Sequence, residues 1–281
     1  MGREVSVRRK PVKILTMIPS FSGLGTLALG LVVRHLKRLV ANEIEIEVLV
    51  LGRSDEDAKA AEAAGADLYN GTKPNQAFGA MMNQGLAIAR DRGADAVMTL
   101  PPSVLVDPEY FALIEDAFGR GAEFAGYLDF FPLDLECFRL GYWRGYAKET
   151  GHGWRKGHAI KLARVYSRSL LERAEWKLFP DQDEGLDWLV HERMRTEFAP
   201  ITTASAICAD HGALVNLYST TEVLEKLEAE IVETDIAKFI SERFGEETAA
   251  ELLALAGQDA DLIFDEADDG QTQSEPEADT E

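Results

Sequence analysis

The sequence predicts an α/β protein: a mostly parallel central sheet covered by helices, followed by a helical carboxy-terminal extension. Three observations lead there. Apolar runs of strand length recur through the first 130 or so of 281 residues, and stretches of helical periodicity separate them. The breaks between the runs are short and rich in Gly, Pro, Ser and Asp. Strands that alternate with helices are joined by crossovers, which make neighbouring strands parallel and cover both faces of the sheet.

Each element follows in order. VKILTMI, from Val12 to Ile18, is a continuous apolar strand that ends in the turn PSFSG. Leu24 to Val40 repeats apolar residues at helical spacing. IEIEVLVL begins by alternating and becomes fully apolar, as a strand entering a buried sheet does. GRSDED is a turn with a helix cap at Ser54, DAKAAEAAGA a short helix and ADLYNG a short edge-like strand. Pro74 to Arg90 is a longer helix, ADAVMTL a buried strand and PPSVLVDPEYF a connection into a helix from Pro108 to Phe118. AEFAGYLDFF is a further strand. From Pro132 to Gly157 the pattern breaks into an irregular segment rich in Gly, aromatic and basic residues. Then come a strand (AIKLARVYS), a helix (RSLLERA), the segment WKLFPDQDEG, a helix (LDWLVHERMRTEF) and a strand (ITTASAICA), which HGALVNLYS leaves. Glu222 to Gly257 reads as helical throughout. The expected divisions are a basic lead at 1–11, the main domain at 12–220, the helical extension at 221–257 and an acidic, disordered tail at 258–281.

Composition narrows the function. Residues 46% hydrophobic suffice for a core, and no apolar run reaches the roughly 18 residues of a spanning helix. The basic amino terminus lacks the apolar segment of a signal peptide, so a cytoplasmic protein is expected. Cys137 and Cys208 stand apart, without the C-x-x-C pairing of zinc or redox sites, and are expected reduced and semi-buried. Of the net charge of −20, half lies from Gly257 onward, where ten acids and no Lys or Arg occur. The remainder still repels a phosphate backbone, which argues against nucleic acid as a partner.

Several local patterns, in order from Val12 to Tyr218, resemble the GT-A fold of family 2 glycosyltransferases, a Rossmann-related nucleotide-sugar fold. They are the strand ending Ile18-Pro19-Ser20-Phe21; the strand VLVLGRSDED; FGAMMNQGLAIARDRGADAVMTL, with Gly79, Asn83, Gly85 and Asp95 in step; the run continuing VLVDPEYF; WKLFPDQDEGLDW before a helix; and Asp210-His211 after a late strand. Two positions depart from the family. Its nucleobase-contacting acid corresponds to Leu51 or Gly52. Its metal-binding acids correspond to Leu100-Pro101-Pro102-Ser103, where no carboxylate is available for a hard divalent cation.

The resemblance implies a nucleotide-diphosphate sugar as donor and an acceptor hydroxyl on an unidentified glycan, lipid or protein. It implies weak or no dependence on Mg or Mn and no assigned metal ligand. An inverting transferase needs one carboxylate as base; Asp183, Glu184 and Asp187 stand where the family keeps it. As acids before a helix start they equally suit capping. Without a metal, cations must stabilise the leaving diphosphate. Arg144, Lys148, Arg155, Lys156 and His158 in the irregular segment, with His211, are the candidates. Trp154, Tyr142 and Trp143 offer stacking surfaces or loop anchors. Pro19, Ser20 and Ser54 lie at the carboxyl ends of strands, the edge where such sheets bind ligands. Lys73, Asn75, Asn83 and Ser103 complete the donor candidates, although Asn83 and Gly85 suit helix packing better. The alternative from a different class is a catalytically inactive GT-A-like binding or structural module.

Overall fold

The computed structural model describes residues 11–20, 26–39, 44–73, 76–146, 155–220 and 222–257. Two sheets organise them. The larger is built from β1 (Val12–Pro19), β2 (Ile44–Gly52), β3 (Leu68–Gly71), β4 (Ala96–Thr99), β6 (Phe124–Tyr127), β9 (Arg164–Ser167) and β10 (Thr203–Ala206). Its order is β10-β6-β9-β4-β1-β2-β3. β1 pairs in parallel with β2 and β4, β2 with β3, and β6 with β10; β9 alone runs antiparallel, between β4 and β6. This is the mostly parallel, helix-covered sheet expected from the sequence.

Both faces of that sheet are buried, which is why β1 reads as a continuous apolar run. Ile14 and Ile18 pack with α1 (Thr26–Arg38), α2 (Asp55–Ala64) and α4 (Pro108–Gly119). Leu15 and Met17, one step out of phase, pack on the opposite face with α3 (Phe78–Asp91), α5 (Arg168–Arg173) and α6 (Leu186–Thr196). Alternate residues of a strand point to opposite faces, so one apolar run supplies two cores.

The second sheet was not expected. β5 (Val104–Val106), β7 (Phe131–Asp134), β8 (Arg139–Tyr142), β11 (Leu214–Tyr218) and β12 (Glu230–Ile231) form it in the order β12-β8-β7-β11-β5. The connection after β4, the first part of the segment read as irregular, and part of the stretch read as helical from Glu222 are therefore strands. The rest of that stretch is α7 (Val223–Lys226), α8 (Ile236–Phe244) and α9 (Glu246–Ala256).

The carboxy-terminal helices share the main core, through Ile240, Phe244, Leu252 and Leu255. A buried polar contact fastens them. His35 on α1 meets Val106 O at 2.8 Å through Nε2 and Thr248 Oγ1 at 3.2 Å through Nδ1. Burial lowers the His35 pKa to about 4, so the ring is neutral, with Nε2 as donor and Nδ1 as acceptor. Of the two cysteines expected to be semi-buried, Cys208 is fully buried, whereas Cys137, beside the β7–β8 turn, is exposed. Among the described residues no helix is long and apolar enough to cross a membrane.

Candidate functional site

The carboxyl ends of β1, β2 and β4 form one edge, and Pro19, Ser20, Ser54 and Ser103 among the expected donor residues lie along it. After β1, Ser20 is buried; its N–H donates to Leu51 O at 2.7 Å and its hydroxyl to Asp57 Oδ1 at 2.7 Å. The other oxygen of Asp57 accepts from Arg53 N at 2.9 Å, Ser54 N at 3.1 Å and Ser54 Oγ at 2.9 Å. Ser54 Oγ in turn accepts from Asp57 N, which completes a capping box at the start of α2. Ser20 and Ser54 thus meet at one buried carboxylate that locks the turn. Pro19, the last residue of β1, is buried beside them.

The same turn bears on Gly52, one of the two positions, with Leu51, that correspond to the family's nucleobase-contacting acid. A Cβ at Gly52 would lie 2.6 Å from Asp57 Cβ and 2.7 Å from the Tyr69 ring. The Tyr69 hydroxyl donates to Ser54 O at 2.8 Å, which holds that ring over the glycine. The space in which an acid would stand is filled.

Beyond β4, Ser103 Oγ donates to Asn216 Oδ1 at 2.7 Å. Among the described residues no group of three His, Cys, Asp or Glu side chains is placed to hold a metal ion. With prolines and one engaged hydroxyl in place of acids, the residues after β4 do not fit the family's divalent cation.

The third station is the start of α6. The segment before it straps onto α3. Asn83 donates to Phe179 O at 2.7 Å and accepts from Phe179 N at 3.0 Å; Gly79 N donates to Gln182 O at 3.0 Å. Gly79 is required, since a Cβ there would sit 1.6 Å from Pro180 O. Asp183 Oδ1 accepts from Phe78 N at 2.7 Å, so Asp183 caps α3, and not the helix that follows it in sequence. Glu184 is exposed. Asp187, in the first turn of α6, has a different environment: its carboxylate meets Arg155 Nη1 at 3.1 Å, with side chains 24% and 13% exposed. Arg155 also donates to Tyr146 Oη at 3.2 Å and lies over the Tyr146 and Trp188 rings. The His158 and His191 rings lie with centroids 3.9 Å apart, their planes tilted by 31°. Burial, His158 and Arg164 lower the His191 pKa to about 4, and burial followed by Arg155 and Arg164 lowers that of His158. Both imidazoles are neutral at neutral pH.

No protein-family model matches the chain, and no curated protein matches it. Among solved structures it is similar to a CMP:2-keto-3-deoxy-manno-octonic acid synthetase complexed with CTP, at 14% identity over 77% of this chain and 97% of that one, with a TM-score of 0.47. It is also similar to glucosyl-3-phosphoglycerate synthase from Mycobacterium tuberculosis in complex with Mn2+, UDP and glucosyl-3-phosphoglycerate. There the identity is 15%, the coverage 83% of this chain and 80% of that one, and the TM-score 0.49.

Of the remaining candidates, Arg144 pairs with Glu230 at 2.8 Å on an exposed edge of the second sheet, away from Asp187 in its bonding. His211 contributes its carbonyl, which accepts from the Tyr127 hydroxyl at 2.9 Å. Asn75, Lys148 and Trp154 lie outside the described residues. The structure thus joins Arg155 to Asp187 and adds Asp57, Asn216, Arg164, Trp188 and His191, which sequence reading passes over. Two of these had a signal. Asp57 stands three residues after Ser54, the capping-box spacing, and His191 stands four after Asp187 on one helix. Arg164 had none, because it reads as an ordinary strand residue.

Proposed function

We propose that the chain is a glycosyltransferase that moves a sugar from a nucleotide-diphosphate donor to an acceptor hydroxyl, with inversion and without a divalent cation. One observation carries this reading: Asp187, a carboxylate in the first turn of α6, is paired at 3.1 Å with the guanidinium of Arg155. The family-like motifs around Asn83 and Phe179 touch one another and fix the segment that leads into it. Asp183, Glu184 and Asp187 are then not equivalent, because Asp183 is engaged in capping α3 and Glu184 faces solvent.

In the proposed step Asp187 takes the proton of the acceptor hydroxyl as that oxygen bonds to the anomeric carbon. The bond from that carbon to the phosphate oxygen breaks, and the electron pair leaves with the nucleoside diphosphate. The Arg155–Asp187 pair couples the two ends. As the carboxylate is protonated it gives up its charge, and Arg155 becomes available to the charge that develops on the leaving group. Binding of nucleoside diphosphates, followed by calorimetry or thermal shift with and without manganese, tests the reading. Binding unaffected by manganese is expected. Asp187→Asn is expected to lower transfer by about 10²–10⁴ while keeping or tightening nucleotide binding. Full activity in that variant would remove Asp187 from the chemistry.

A second reading, a non-catalytic binding module, is favoured by the filled space over Gly52. Absence of stabilisation by any nucleoside diphosphate would make it the better one.

A further inference from the structure

Arg164 opens β9 directly opposite Thr99, the last residue of β4. It is nearly fully covered, at 5% exposure. Its Nε donates to Ile160 O at 2.8 Å, Nη2 to Ala159 O at 2.7 Å and Nη1 to Asp187 O at 2.9 Å. Each acceptor is a neutral carbonyl, and among the described residues no carboxylate forms an ion pair with this guanidinium. A cation this deeply covered is costly unless an anion accompanies it. Carbonyls solvate the charge without neutralising it.

Asp187 is held from two sides, by Arg155 through its carboxylate and by Arg164 through its carbonyl. Two guanidiniums therefore meet at one residue next to the end of β4, and only Arg155 engages its carboxylate. This is the strand end at which the sequence has Pro101, Pro102 and Ser103 where a metal-binding acid would stand. The neighbouring imidazoles register the local field: after burial, Arg164 is among the causes that lower the pKa of both His158 and His191. All this occurs in a chain of net charge −20.

We infer that Arg164 is a fixed positive charge for an oxyanion bound at this end of the sheet, and that with Arg155 it takes the electrostatic part a divalent cation would play for a diphosphate. In naming a diphosphate the inference rests on the transferase reading; the affinity for an oxyanion does not. Arg164 is the positioning residue of the pair. It fixes the segment at Ala159 and Ile160 to the first turn of α6, where Arg155 meets Asp187, and its own charge adds to the field there.

The test is calorimetric titration of the full chain with inorganic pyrophosphate, in chelator and without added metal, at low and moderate salt. The wild type is expected to bind, more weakly as salt rises. Arg164→Gln is expected to lose about tenfold in affinity, about 1.4 kcal/mol for one nearby charge, while Arg164→Lys retains most of it. Asp187→Asn removes the carboxylate that competes for Arg155 and is expected to bind pyrophosphate more tightly, which tests the Arg155 part of the inference. No binding by the wild type, equal losses in folded Arg164→Lys and Arg164→Gln, or no gain in Asp187→Asn would each overturn the inference. If Arg164→Gln fails to fold, Arg164→Lys decides: it keeps the charge and loses the three-way bonding to carbonyls, so a loss of about tenfold or more in the folded lysine variant would overturn the role of the charge. Pyrophosphate binding with these responses, but no added affinity for any nucleoside diphosphate, keeps the oxyanion site and removes the transferase reading. Nucleoside diphosphate binding that ignores both Arg164 substitutions does the reverse.

Discussion

Replacing Gly79 by alanine sets two effects of opposite sign against each other. In a helix interior alanine is favoured over glycine by about 1 kcal/mol, because the unfolded glycine has more backbone freedom to lose. On α3 that gain meets a wall. The new Cβ would lie 1.6 Å from Pro180 O and 2.8 Å from Pro180 C, where carbon and oxygen normally approach to about 3.3 Å. The strap before α6 would have to retreat by roughly 1.5–2 Å, well past the reach of its hydrogen bonds. The bonds at stake are Gly79 N to Gln182 O and Phe78 N to Asp183 Oδ1. At about 1 kcal/mol for the neutral bond and 1.5–3 for the charged one, their loss costs about 2.5–4 kcal/mol. Net destabilisation is therefore about 1.5–3 kcal/mol, a fall in melting temperature of roughly 3–12 °C at 2–4 °C per kcal/mol. Gly30→Ala in α1 is the control: its Cβ meets only the flexible end of Arg34, at 3.0 Å, so propensity should win and stability should hold or rise. Calorimetric scans of the two variants would decide. A melting temperature for Gly79→Ala at or above that of the wild type would show that the strap does not seat on α3 as described.

Three further outcomes follow from the structure. His35 has a folded pKa of about 4 against the ordinary value of 6.5, so its contribution is complete above pH 6.5 and is lost as pH falls toward 4. That is about 3 kcal/mol, and urea midpoints for His35→Gln should show a flatter decline between pH 6.5 and pH 4 than the wild type. Thiol titration of the native chain should find Cys137 reacting quickly and Cys208 only on unfolding, since Cys208 is buried and its thiol is pushed up by that burial; two fast thiols would contradict the packing around Cys208. Gly52→Asp, which restores the family's acid in name, should destabilise the chain without raising nucleoside affinity, because the turn has no room beside Asp57 and Tyr69; tighter nucleoside binding in that variant would refute this account of the turn.

The elements legible in the sequence are those whose burial is periodic along the chain. β1 and β2 are covered on both faces and read as apolar runs; α4 announces itself by Asp107 and Pro108 at its start, where the Asp107 side chain accepts from Glu109 N at 2.8 Å. The second sheet had no such signature. β5 has three residues, and its partner β11 lies more than 100 positions along the chain, with Val104 opposite Asn216. A strand that short carries one alternation of side chains, too little to set a period apart from a loop. Its existence depends on pairing that only the folded chain supplies. The same limit applied after Glu222, where Glu230 and Ile231 pair with Tyr142 and Gly141 across a distance no local pattern records.

For the site, the divide falls between what a residue is and what it touches. The spacing of Asp183, Glu184 and Asp187 marked an acidic cluster, and the same spacing left capping and catalysis equally open. Asp183 does cap a helix, but that helix is α3, which begins at Phe78, 105 positions earlier. Asn83 and Phe179 are joined across 96 positions in the same way, so two motifs that read as independent are one contact. Once Asp183 is engaged with α3, Asp187 is the member of the cluster that holds an arginine, and the choice among the three carboxylates becomes a difference in partner. That difference makes Asp187→Asn a sharper probe than Asp183→Asn. Asparagine keeps a capping oxygen at position 183 and should leave α3 in place, whereas at position 187 it removes the charge opposite Arg155.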